Sequence, residues 1–227
     1  MNNDMRKSTI RVELHCHTCA SKDSLVTPER LLRYCEKKGI HKIAITDHNV
    51  IDAALAMKTM EPERVIVGEE IQTSQGELIG YFMSEWVPPG LEPQETIRRL
   101  RDQGAVIAVP HPFDRMRGPQ WTEAQLEMIT PYVDALETFN ARCLNNQPNL
   151  RARAYARAHH LLETVGSDAH SLWEIGRASL KLPDFNNPEE FNAALKEAEP
   201  RSRLSPACVH LFSRYAVLCK RLTKRAC

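Results

Sequence analysis

Little in this chain of 227 residues stands out by composition, and each shortage removes a class of function. Lys and Arg (30) nearly balance Asp and Glu (29), for a net charge of +1, so no global attraction to nucleic acid or an acidic surface follows. Aromatic residues make up only 6%, too few for the stacking track that holds single-stranded nucleic acid. No apolar run is long enough to span a bilayer, and MNNDMRKST leads into a strand-like segment without the apolar core of a signal peptide. The protein is therefore expected in the cytoplasm, with neither a membrane partner nor a stable nucleic-acid partner. The seven cysteines are odd in number, and only Cys16 and Cys19 stand at C-x-x-C spacing. Without a second pair to complete a zinc ribbon, they are read as reduced thiols. Internal repeats, low-complexity tracts and linkers are missing too, and the length suits one α/β domain.

What is there is a recurring unit: a short β-branched run, a few residues of metal-ligand type, then a helix. In IRVELHCHT, Ile10, Val12 and Leu14 alternate with Arg11, Glu13 and His15, which predicts a strand that sends His15 and His17 to the same side. Thr27-Pro28-Glu29 supplies an N-cap, a proline for the first turn and an early acid, starting a helix that ends near Gly39. The run 40–46 delivers Asp47-His48-Asn49, a helix over 51–60 follows, and the run 64–70 ends in Glu69-Glu70. Residues 77–83 read as a hairpin partner or as the next strand. After a helix over 92–103, the apolar run 105–109 stops at Pro110-His111-Pro112, where the prolines restrict the backbone.

The second half repeats the unit. A helix over 123–129 precedes a strand over 133–139 that hands off to Asn140 and Arg142, and a helix over 150–160 precedes a strand that ends in Asp168-Ala169-His170. Beyond a helix over 188–198, residues 204–225 form a basic amphipathic helix with Val209, Phe212, Leu218 and Leu222 expected against the domain. The division is therefore 1–203 for the domain and 204–227 for a helix packed on it or extending it.

In a parallel α/β barrel the loops after the strands converge on one face. His15, His17, His48, Glu70, His111, Asp168 and His170 then share a site. This set of nitrogen and oxygen donors exceeds one tetrahedral ion and suits two or three divalent ions of Zn, Mn or Fe type.

The segments His15-Cys16-His17, Ile45-Thr46-Asp47-His48-Asn49, Gly68-Glu69-Glu70, Pro110-His111-Pro112 and Gly166-Ser167-Asp168-Ala169-His170 together resemble the polymerase and histidinol phosphatase (PHP) family of metal-dependent phosphoesterases. The resemblance implies a distorted (β/α)7 TIM-like barrel. It also implies that His15, His17, Glu70 and Asp168 hold one metal, with Glu70 bridging, that Asp23, His48 and His170 hold another, and that His111 serves a third with Glu70. Glu77 stands where members commonly carry a histidine, and is expected as a ligand of a hard metal.

Activity implied by the resemblance is hydrolysis of a small phosphomonoester or nucleotide by metal-activated water. His111 and Asp168 are the expected catalytic residues, and Arg142, Arg177 and Arg117 the expected phosphate-binding ones, because a guanidinium fork takes two oxygens at once. The alternatives are exonuclease action on short oligonucleotides, a histidinol-phosphatase-like activity, and a metal-binding module without turnover. An amidohydrolase-like enzyme is a further reading, disfavoured by the Asp168-x-His170 pair and by the lack of a strand-end lysine.

Overall fold

A computed structural model describes residues 8–117 and 121–223. Its chain runs β1 (Thr9–Glu13), α1 (Pro28–Lys37), β2 (Lys42–Ile45), α2 (Asp52–Met60), β3 (Val65–Gln72), β4 (Glu77–Tyr81), α3 (Pro93–Asp102), β5 (Val106–Val109) and α4 (Glu123–Ile129). A single 3-10 turn, Thr130–Tyr132, then leads into β6 (Ala135–Asn140), α5 (Gln147–Ala158), β7 (Leu162–Gly166), β8 (Ala178–Pro183), α6 (Pro188–Leu195), β9 (Glu199–Ser202) and α7 (Val209–Thr223). Local signals account for most boundaries. Proline sits in the first turn of α1, α3, α5 and α6, where its missing N–H costs nothing. Thr122 and Gln125 close a reciprocal capping box on α4. Thr27 does precede α1 as expected, but its side chain makes no capping bond.

The strands form one nine-stranded sheet in the order β7-β6-β5-β4-β3-β2-β1-β8-β9. Pairing is parallel for β1-β2-β3 and β5-β6-β7, while β4 runs antiparallel to both neighbours and β8 and β9 form an antiparallel flap on β1. The sheet is mixed and nearly closed, and the single domain is a distorted TIM-like barrel. Its seam lies between β1 and β7. There the Cys16–Ala169 bridge joins the strand ends, with His17 N donating to Ala169 O at 2.9 Å. Just below, the Glu13 carboxylate accepts from Ser167 N (3.0 Å) and Gly176 N (2.9 Å). Burial pushes Glu13 up to about 7 against the pull of these hydrogen bonds.

Strand alternation divides the core. Ile43 and Ile45 of β2, Val65 and Val67 of β3, and Ile107 and Val109 of β5 pack with helices α1 to α5. The intervening Ala44, Ile66, Val106 and Ala108 join a second cluster that α6 seals with Phe191 and Leu195. Phe191 is fully buried, against Tyr81 and Phe185. Phe191→Ala is expected to cost about 3–5 kcal/mol, read as a lower denaturation midpoint at unchanged slope.

Two sequence expectations need correction. Cys19 is disulfide-bonded, not a reduced thiol, although it is buried like Cys16. Cys16, Cys35, Cys143, Cys208 and Cys219 are free. The final helix is turned over relative to its expected orientation: Val209 is buried, but Phe212, Leu218 and Leu222 are exposed, and Lys220 points inward to Cys19 O and Ser21 O. Positions 204–208 lie outside the helix, and Lys224 and Arg225 lie outside the described residues. No described helix is long and apolar enough to cross a membrane.

Candidate metal centre

Every residue expected to ligate a metal arrives at one end of the barrel. Histidine and acid groups lie with ligand atoms mutually within 4.8 Å in four overlapping sets: His15, His17 and Asp168; His15, Glu70 and His111; His48, Glu70 and Glu77; and His17, His48 and His170. Asp23 joins them from the loop after β1, with Oδ2 3.1 Å from His170 Nε2 and 3.7 Å from His48 Nε2. Glu70, the last residue of β3 to pair with the His48 loop, lies at the centre. Its Oε1 is 3.0 Å from His111 Nε2, and its Oε2 is 2.9 Å from His48 Nδ1, 3.3 Å from His15 Nε2 and 3.4 Å from His17 Nε2. Neighbouring Glu69 alternates to the opposite side, where it accepts from Val87 N and burial pushes it up to about 8.

Hydrogen bonds fix which nitrogen each β1 histidine presents. His15 Nδ1 lies 2.9 Å from Glu137 Oε1, so Nδ1 keeps its proton and Nε2 is the nitrogen that a cation would take. Ser21 commits its single hydroxyl hydrogen to Asp47 Oδ1 (2.6 Å) and must accept from His17 Nδ1 (3.2 Å). His17 Nε2 is therefore also a free acceptor, and burial beside His170 and His48 keeps this imidazole well below its usual pKa. Both Nε2 atoms face Asp168 Oδ1, at 3.8 and 3.3 Å.

Burial should raise the acids here, yet neighbouring imidazoles outweigh it. Glu70 is held well below the carboxylate range by His15, His48 and His111, Asp23 by His170 and His48, and Asp168 by Arg117 and the histidines. Glu77 moves the other way, raised by burial and by Glu70. His48 is lifted to about 9 and His111 and His15 are raised, because their acidic partners exceed the opposing effect of burial.

The fit to cations is visible in what these atoms lack. His15 Nε2, His17 Nε2, Glu70 Oε2, Asp168 Oδ1 and Asp23 Oδ1 are buried with no hydrogen-bond partner. Buried acceptors facing one another cost free energy unless a positive centre lies among them. Divalent ions of N/O preference match this donor set.

Backbone conformation points the same way. Asn49, His111 and Asp168 have positive φ values of 59°, 27° and 51°, each costing about 1–3 kcal/mol for a residue with a Cβ. His111 and Asp168 each lie two residues past a strand at the centre, and Asn49 follows His48.

Sequence reasoning missed the residues that orient the ligands. Glu137 receives His15 Nδ1, His111 N (2.9 Å) and Asn140 Nδ2 (3.0 Å). Asn140 also donates to Asp168 Oδ2 at 3.0 Å, and Asp47 holds Thr18 and Ser21. Asn140 ends β6 and Asp47 follows β2, the position that flagged the ligands themselves, whereas Glu137 lies in the middle of β6. Glu137→Gln is expected to weaken metal binding about 10- to 100-fold, measured by calorimetric titration of the metal-stripped protein.

A cavity of about 640 Å³ opens onto the centre, lined by Asp23, His48, Glu77 and His170 and, from α7, by His210, Ser213 and Arg214. Of the arginines expected to bind phosphate, Arg117 lines it, pairing with Asp168 Oδ2 (2.5 Å) and Asn140 Oδ1 (3.2 Å). Arg142 lines it too, but is buried and committed to Glu174 (3.2 Å), Ser213 (2.7 Å) and the His170 ring, which makes it a brace. Arg177 is not among the lining residues; the β8–β9 flap takes its carbonyl, which accepts from Arg203 N.

Comparison with known proteins agrees with this geometry. A family model described as PHP domain matches residues 13–168, and one described as PHP-associated matches residues 146–200. An uncharacterized protein of Methanocaldococcus jannaschii is 38% identical over 197 residues, covering 82% of this chain and 79% of its own length. Among solved structures, a two-domain protein from Bacteroides vulgatus containing a predicted PHP-like metal-dependent phosphoesterase superposes with a TM-score of 0.68 at 14% identity, over 93% of this chain and 71% of that one. The lesion-specific endonuclease PfuEndoQ of Pyrococcus furiosus gives 0.60 at 15%, over 85% and 58%. At these identities the likeness is one of fold.

Proposed function

The chain belongs to the PHP domain family, and from that premise we propose that it is a metal-dependent phosphoesterase acting on a small phosphomonoester or nucleotide. The observation that carries the reading is the convergence of buried, unpartnered histidine and carboxylate atoms on one centre. His15, His17, Glu70 and Asp168 would hold one ion, Asp23, His48 and His170 a second, and His111 with Glu70 and Glu77 a third. Divalent ions in such a site supply Lewis acidity and a nucleophile at neutral pH.

The chain's own groups do the rest. Arg117, at the cavity, spends one N–H of each nitrogen on Asp168, Asn140 and Asp114, and the remaining N–H of its two terminal nitrogens would take nonbridging phosphate oxygens. With two ions bound and none at the third position, His111, its Nε2 3.0 Å from Glu70 Oε1, would be placed to give a proton to the departing oxygen; with a third ion bound it would be a ligand instead. Arg142 keeps His170 in place from behind. A cavity of about 640 Å³ lies within the range that encloses small-molecule ligands, and its apolar wall of Met116, Leu144 and Leu211 suits the organic part of such an ester.

The test is phosphate release by chelator-stripped protein resupplied with Mn or Zn. The substrates are p-nitrophenyl phosphate, nucleoside mono- and bisphosphates, histidinol phosphate and a short oligonucleotide. Release that requires the added metal and favours one small ester supports the reading. Metal-replete protein inert toward all of them would favour a module without turnover.

A further inference from the structure

Helix α7 carries two stripes at the same spacing on opposite sides. Val209, Ser213, Ala216 and Lys220 form the inner one: Val209 and Ala216 are buried, Ser213 accepts from Arg142, and Lys220 donates to Ser21 O at 2.6 Å. Two residues further on, about 200° around a helix, Tyr215, Leu218 and Leu222 make the outer one, each between 54% and 76% exposed, and Leu211 begins it at the rim of the cavity. Phe212 widens it at 44% exposure, and Trp173, 75% exposed, lies edge-on to Phe212 at 6.5 Å. A helix apolar on the side away from its domain requires a further covering layer.

Charge identifies that layer. Residues 200–227 contain seven Lys and Arg and no Asp or Glu; of these, Lys220 points inward, Arg201 and Arg203 lie in or beside β9, and Arg214 and Arg221 are the described ones on the outer side of α7. Arg214 and Arg221 flank the apolar stripe, and neither forms an ion pair among the described residues. A second copy of the chain would bring the same cations against these. A nucleic acid would meet the cations but leave the leucines unused. A bilayer with acidic headgroups uses both, with leucines and Phe212 below the headgroups, Trp173 and Tyr215 at their level and arginines among the phosphates.

We propose that the outer face of α7 docks the protein on an anionic membrane surface, as a peripheral contact and not a span. Because His210, Ser213 and Arg214 of the same helix line the cavity, the metal centre would open beside that contact. The proposal is independent of the phosphoesterase reading, since its readout is binding alone.

The test is co-sedimentation of the full chain with vesicles of phosphatidylcholine alone or mixed with phosphatidylglycerol. Wild type is expected to sediment with the mixed vesicles only, and less as salt is raised. Leu222→Glu is expected to weaken binding about tenfold or more and Arg221→Gln about fivefold. Both side chains are exposed, so circular dichroism and metal content should stay as in wild type. Wild type left in solution with both vesicle types, or bound equally to both, would overturn the proposal. So would a dimer in sedimentation velocity that Leu218→Glu dissociates.

Discussion

Glu70→Gln is expected to lose more than one bound ion and to lower phosphate release about 10³-fold or more. The size of the effect follows from contacts: one carboxylate reaches His15, His17 and His48 with Oε2 and His111 with Oε1. Glutamine keeps the shape but replaces an acceptor with an amide donor and removes a negative charge. Four imidazoles then surround a neutral group, and the ions that Glu70 would share lose their common anion. Metal content and the rate constant should fall together, with near-native circular dichroism. Loss of activity at full metal content would separate Glu70 from ion binding.

Gly166→Ala is expected to damage the centre from below. A Cβ at this position would come well inside 3.0 Å of Glu137 Oε1 and of His15 Cβ, so it must displace the pair that sets the His15 tautomer. Neither can yield cheaply, because Glu137 is anchored by His111 N and Asn140 Nδ2 and His15 sits beside the bridge that closes the seam. Overpacking of this kind costs about 1–3 kcal/mol, and a misplaced first ligand should weaken metal binding about 100-fold or more, beyond the loss of an orienting group alone. Chemical denaturation and metal titration measure the two parts. Unchanged metal affinity would show that His15 is not a ligand.

How much of this is legible without coordinates depends on whether a residue announces itself through its neighbours. His15 and His17, or Asp168 and His170, do so by lying two apart at the end of a β-branched run, and Glu70 and His111 do so by ending apolar runs. Asp23 and Glu77 rest on the family resemblance, and the structure brings both beside the histidines. Glu137 is hidden because a single acid inside a strand has the same appearance whether it orients a ligand or faces solvent, and Asp47 because a single acid past a strand end also suits a turn cap. Strand β9, with Pro200 and full exposure, carries no apolar period and is an edge strand that only pairing reveals. The orientation of α7 fails for a related reason. Its apolar residues span more than one face, so sequence spacing alone does not say which stripe meets the domain, and Lys220 wins the inward position by satisfying two loop carbonyls. Arg142 shows the same limit for phosphate: proximity to a site loop in sequence does not say that its donors go to Glu174, Ser213 and the His170 ring, and Arg177, also near a site loop in sequence, is not among the residues lining the cavity.

Whether these side chains form one multinuclear centre is measured most directly by the number of metal ions per chain. Protein purified without chelator, then dialysed and analysed for elements alongside Glu70→Gln, is predicted to hold two or three divalent ions per chain, with more than one lost in the variant. One ion or none in the wild type, or the same count in both proteins, would contradict it.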